Sequence, residues 1–177
     1  MTIEMVESTF RTWFMEPLEV LYEMQAGFPI MLVILPILER FLREVSGVAE
    51  GSLDDDFFDV LIELFPALKS RDLARRFWQT YRNGLLHQLS FSLRDRRGRA
   101  MPSACITFDQ EEAVLVHEED QVSVNPISFG KLVTEVILDD YEVMAGEASP
   151  NHPLPFVFPP NSSFNMTGTA CDDRWRK

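Results

Sequence analysis

The stretch that decides the fold is FWQTYRNGLLHQL, Phe77 to Leu89. It reads as strongly helical and carries an arginine, an amide and a histidine: Arg82, Asn83 and His87. A guanidinium stays charged and presents a planar fork of donors that suits phosphate, and histidine is the side chain whose ordinary pKa lies nearest neutrality. Together these groups can handle a phosphodiester without a metal. In an α-helix, five residues of separation set Arg82 and His87 about 140° apart around the axis, whereas Asn83 and His87, four apart, share a face. A long arginine stem wrapping from the flank where Gly84 loosens the turn, or a second copy across a dimer, would complete the site. The competing structural reading pairs Arg82 with an acid on a neighbouring helix and leaves His87 as an ordinary histidine at the edge of a bundle.

Working outward, Ser70 or Asp72 starts this helix, and Leu73, Phe77 and Tyr81, with Leu85 and Leu89, continue an apolar seam in which Phe77 and Trp78 are packing groups. Before it, Phe57, Val60, Leu61, Leu64 and Phe65 form the core stripe of a short helix that Pro66 stops. Asp54, Asp55 and Asp56 stand at its start, where acids meet the positive end of the helix dipole, a simpler role than metal binding. Ile30 to Val45 is apolar on nearly every side until Glu39, the mark of a central bundle helix, and Pro36 is expected to kink it. Glu39 with Arg43 and Arg40 with Glu44 stand at i,i+4 spacing at its wet end. Residues 3–15 and Pro17 to Ala26 read as a first helix that Pro17 bends or restarts, with Gly27 ending it. After Ser90 the periodicity falls to about two: Cys105–Phe108, Ala113–His117 and Gln121–Val124 are predicted strands of a small antiparallel hairpin or meander at about 103–124, with His117 facing solvent. Asn125 and Pro126 then cap a last helix to about Ala145, burying Ile127, Leu132, Val133, Val136, Ile137, Tyr141 and Met144. The prolines after Ser149 predict an extended tail over 149–177, which leaves 1–148 as the folded domain.

The net charge of −12 opposes nucleic-acid binding, which relies on lysine and arginine. Its distribution points the other way. Lys69 to Arg99 holds nine basic and two acidic residues, a local +7 that leaves −19 on the rest of the chain. A local field matters more to a polyanion than net charge does, so Arg75, Arg76, Arg94, Arg96, Arg97 and Arg99 are the candidate RNA-binding residues. The alternative is a basic helix face docked on the acidic remainder. Two scattered cysteines offer neither a disulfide framework nor a zinc site and point to a reducing, cytoplasmic setting. No secretory signal is visible, and the apolar run Phe28–Leu38 is too short for a membrane span. No metal-ligand cluster, glycine-rich phosphate loop or nucleophile elbow is present, so neither metal nor cofactor is expected.

Arg82-Asn83-Gly84-Leu85-Leu86-His87, with Tyr81 before it, resembles the Arg-x4-6-His signature of the HEPN superfamily, and the helix order over roughly residues 1 to 146 supports that likeness. The resemblance implies a mainly α fold, a bundle of four to five helices with the β insertion before the last one, usually dimeric. It also implies a metal-independent endoribonuclease of toxin or phage-defence type, with an antitoxin or a nucleotidyltransferase-like protein as partner. Arg82, Asn83 and His87 would be its catalytic residues. An acid in the position of Glu39 is familiar in such bundles, and pairing with Arg82 is a structural role open to it. The alternative within the same fold is a non-catalytic dimeric module that binds a protein or nucleotide.

Overall fold

The computed structural model describes Ser8 and residues 10–48, 53–85 and 104–139, with Glu119 described in its backbone alone. Helix α1 (Glu16–Glu23) continues directly from a π-helical turn, Arg11–Met15. Pro17, which cannot donate to the preceding turn, thus sits just after the winding changes, so the chain passes it without a break. The helix ends before Gly27 is reached, at Glu23, and Gln25 takes the left-handed conformation at φ 50°. Gly27 instead opens α2 (Gly27–Ser46). Its service is close approach, because a Cβ there would lie 3.1 Å from atoms of Ile106, Phe108 and Pro126.

Helix α2 is the centre of the bundle and packs against α1 and against helices that follow it in the chain. Ile30, Met31, Ile34, Leu35, Leu38, Phe41 and Leu42 are buried along it, while Pro36 is exposed, so the missing proline donor falls on the solvent side and the helix continues to Ser46. Gly47 closes it in the left-handed conformation at φ 68°, where a glycine carries no Cβ penalty. Helix α3 (Asp55–Leu64) is capped by Asp54, whose Oδ1 accepts from the Phe57 N–H at 3.2 Å, with Asp55 and Asp56 in the first turn. A 3-10 turn, Pro66–Leu68, leads to α4 (Arg71–Trp78), capped by the Ser70 hydroxyl on the Leu73 N–H. Helix α4 runs on into a second π turn, Gln79–Gly84.

Three short strands follow: β1 (Ala104–Ile106), β2 (Val114–Val116) and β3 (Val122–Val124). The antiparallel hairpin is formed by β2 and β3 across the 3-10 turn Glu118–Asp120. The order differs from a simple meander: β1 lies on the far side of β3 and parallel to it, giving β1-β3-β2 with Cys105 opposite Ser123. A helical anchor explains this placement. The Tyr81 hydroxyl, from the second π turn, reaches the carbonyls of Cys105 and Val122, both at 2.8 Å, and accepts from the Cys105 N–H at 3.1 Å, tying β1 and β3 to one side chain.

Asn125 caps α5 (Pro126–Asp139) by accepting from the N–H groups of Ile127 and Ser128. Its fully buried stripe is Phe129, Val133 and Ile137, flanked by Gly130 and Thr134, whereas Ile127, Leu132 and Val136 are only partly buried. The stripe is rotated from the expected one because α5 is apolar on more than one side, and packing against α2 selects the face. Phe129 stacks on Phe65 at 4.7 Å and Phe57 meets Trp78 edge-on at 5.0 Å, so the aromatic side chains weld α3, α4 and α5 around α2. The result is a mainly α bundle of five helices with a small sheet inserted before the last. Among the described residues no helix is long and apolar enough to cross a membrane. Tyr141, Met144 and the tail from 149 lie outside the described residues.

Candidate functional site

The second π turn carries Arg82 and Asn83 to the wet end of α2. There the Arg82 Nε donates to Glu39 Oε2 at 2.7 Å and its Nη1 to Asn83 Oδ1 at 3.0 Å. The other Glu39 oxygen, Oε1, accepts from Arg43 Nε at 3.2 Å and Nη2 at 3.0 Å. One carboxylate therefore holds two guanidiniums. Glu39 and Arg43 are each 15% exposed and Arg82 is 26% exposed, so the pair is shielded on the Glu39 side and reachable on the Arg82 side. Arg43 also lies over the Phe57 ring at 5.9 Å, and Arg40 pairs with Glu44 beside it. The i,i+4 pairs read from the sequence are present, as is the pairing of Glu39 with Arg82. The Glu39 carboxylate thereby fixes the orientation of both guanidiniums.

The winding here also changes the angular relation expected of an α-helix. In π geometry each N–H bonds five residues back, which draws residues five apart towards one face. Phases counted at α-helical pitch therefore do not carry across Gln79–Gly84. His87 itself, with Arg94, Arg96, Arg97 and Arg99, lies outside the described residues.

The two remaining candidate RNA-binding residues are both engaged with acids. Arg75 pairs with Asp55 and, at 3.4 Å, with Asp72, while its guanidinium lies 5.0 Å over the Phe58 ring. Arg76 reaches Asp120 at 2.5 Å, joining α4 to the sheet. Arg71 completes the row by gripping Asp59 with two nitrogens and Asp55 with a third at 2.6 Å. The Arg71 hydrogen bonds hold the Asp59 carboxyl below its ordinary range, and Asp59 in turn raises Arg71. For these residues the basic face of α4 is docked on the acidic start of α3 and on the sheet.

Tyr81 was legible as a seam residue, but its anchoring of two strands was not. The only hint was a hydroxyl at a position where phenylalanine would pack as well. Burial above all pushes this hydroxyl's pKa up, so it stays a protonated donor.

A second polar cluster lies on the outer face of the sheet. His117 Nε2 is 2.8 Å from Ser123 Oγ, beside a groove of about 580 Å³ that Cys105, Thr107 and Asp109 also line. His117 is exposed, as expected. The hydrogen bonds fix the proton. Gln110 donates its amide to the Glu112 carbonyl, which turns Oε1 towards Ser123 to accept its hydroxyl hydrogen. His117 must then donate to Ser123 from Nε2, so it cannot activate that serine as a base in this arrangement. No known protein family, curated protein or solved structure matches this chain.

Proposed function

We propose that the chain is a HEPN-like, metal-independent endoribonuclease of toxin or defence type that works as a homodimer in the cytoplasm, restrained by an antitoxin or a nucleotidyltransferase-like partner. The observation that carries the reading is the grip of Glu39 on Arg82, with Asn83 bonded alongside. It orients a guanidinium on the one segment that also contains His87.

In the reaction the RNA 2′-oxygen attacks the adjacent phosphorus and the bond to the 5′-oxygen breaks, leaving a cyclic phosphate and a free 5′-hydroxyl. His87 takes the proton from the 2′-hydroxyl or returns one to the departing oxygen. Arg82 faces the charge that builds on the phosphorane, and Asn83 steadies the arginine or the phosphate. Arg75 and Arg76 exchange their acid partners for backbone phosphates, and Arg94, Arg96, Arg97 and Arg99 extend the track.

The test is purified protein with total RNA in EDTA. Cleavage should persist there. His87→Ala should lower the rate about 10²–10⁴-fold, the usual contribution of general acid–base catalysis. Arg82→Lys should fail as well, because an ammonium keeps the charge but loses the fork. RNA with 2′-O-methyl groups should bind but resist cleavage. Full activity of His87→Ala, or cleavage of the methylated RNA, would overturn the mechanism. A monomer in sedimentation at micromolar concentration would remove the dimer.

A second reading is favoured by the pairing of Arg71, Arg75 and Arg76 with acids, and of Arg82 itself with Glu39 on a neighbouring helix: a non-catalytic dimeric module that binds a protein or nucleotide. RNA left intact by wild type and His87→Ala alike selects it.

A further inference from the structure

Helix α1 meets the core with only part of its circumference. Leu18 and Tyr22 are buried, and Phe14 and Leu21 are half-buried at their side. Next round the axis the apolar surface continues into solvent: Val20 is 54% exposed and Met24 70%, with Pro17 exposed beside them. At 100° per residue Pro17, Val20 and Met24 fall within about 60° of one another, and Glu16, Glu19 and Glu23 fill a further sector of about 60° on the side away from Leu21, between the band and Tyr22. All three glutamates are exposed. The helix therefore presents an apolar band with the half-buried Leu21 on one border and an acidic ridge on the other. Apolar side chains scattered singly over a surface are ordinary, but a contiguous band at helical spacing marks an interaction face.

We propose that this band is a docking surface for a helix of a partner protein, one that carries an apolar stripe with lysine or arginine along a single flank. The charge pattern selects this occupant. An antiparallel second copy would set the two acidic ridges side by side, where like charges repel, and a parallel copy would set each ridge against the half-buried Phe14 and Leu21. Neither answers the carboxylates. An anionic lipid surface is repelled by the same ridge. A helix with one basic flank covers the band and pairs the ridge, the helix-against-helix mode in which apolar anchors supply affinity and flanking charges set orientation. The surface is distinct from the Arg82 segment, so it stands or falls independently of the ribonuclease reading.

The test uses the full chain and a labelled helical peptide with leucines at i, i+4 and i+7 and lysines along one flank, followed by fluorescence anisotropy at low salt. The lysine peptide should bind at least about tenfold more tightly than the same peptide with glutamates in place of the lysines. The double variant Val20→Ser, Met24→Ser should lose that binding while keeping the wild-type melting curve, since both side chains face solvent. Glu16→Lys, Glu19→Lys, Glu23→Lys should reverse the preference towards the glutamate peptide. Equal binding of the two peptides, or undiminished binding by the serine variant, would overturn the proposal. So would a wild-type dimer that the serine variant dissociates, or attachment to phosphatidylglycerol vesicles through this face.

Discussion

Glu39 is the residue on which the candidate site turns, because each of its oxygens answers a different arginine. A glutamine of the same shape offers one acceptor and one donor where two acceptors are needed, so one guanidinium would face an N–H. Surface ion pairs contribute little, but this carboxylate is only 15% exposed, and hydrogen bonds to charged groups are worth more when shielded. Glu39→Gln should therefore cost about 1–3 kcal/mol. The urea midpoint should fall with an unchanged slope. A midpoint equal to wild type would show the cluster to be no stronger than an exposed pair. By contrast Arg71, held by Asp55 and Asp59 in the open, contributes little in spite of its three short contacts, because water screens the pairs.

Between elements, the closest contact made possible by a missing side chain joins α1 to α5. A Cβ on Gly130 would stand 2.4 Å from the Tyr22 hydroxyl and 3.1 Å from two of its ring carbons. That hydroxyl is buried and makes no hydrogen bond among the described residues. Gly130 thus makes room for a polar atom that gains nothing in return. Alanine at this helical position would recover about 1 kcal/mol of propensity, but overpacking costs about 1–3 kcal/mol, so Gly130→Ala alone should destabilise. Tyr22→Phe removes the orphaned oxygen and should be close to neutral or stabilising. In that background Gly130→Ala should cost clearly less. Thermal melts of the four proteins measure the coupling, and strict additivity would show that the hydroxyl is not the obstacle.

At the scale of the whole molecule, two buried tyrosines, one of which anchors the sheet to the bundle, make stability depend on alkaline pH. Burial, and then the charge of Glu19, push Tyr22 from its ordinary value of 10.0 up to about 12, and burial raises Tyr81 also. The unfolded chain gives up these protons near pH 10 while the folded chain holds them. Their contribution is therefore fully present below about pH 10 and is lost at higher pH, for Tyr22 as the pH rises through about 12. Urea midpoints should be level from neutral pH to about pH 10 and then fall, and Tyr81→Phe should fall less steeply although it starts lower. Equal slopes in the two proteins would show that Tyr81 releases its proton as readily folded as unfolded.

Local chemistry was enough to read most of the elements: an Asx or Ser cap opens α3, α4 and α5, a glycine closes α2, and period-two alternation marks the strands. The pairing of Glu39 with Arg43 was legible for the same reason, since i,i+4 spacing on one helix makes neighbours before any folding occurs. Tertiary structure decided what depends on distant segments. The strand order β1-β3-β2 follows from an anchor 24 residues upstream of β1, and strands of three residues carry too little pattern to fix their own neighbours. The buried face of α5 was chosen by α2 from a helix apolar on two sides. The positive stretch Lys69–Arg99 was visible as charge, but only folding brought Asp55, Asp59 and Asp120 onto Arg71, Arg75 and Arg76. Sequence counts charges along the chain, whereas pairing depends on which helices lie side by side, and that is set by burial of their apolar faces.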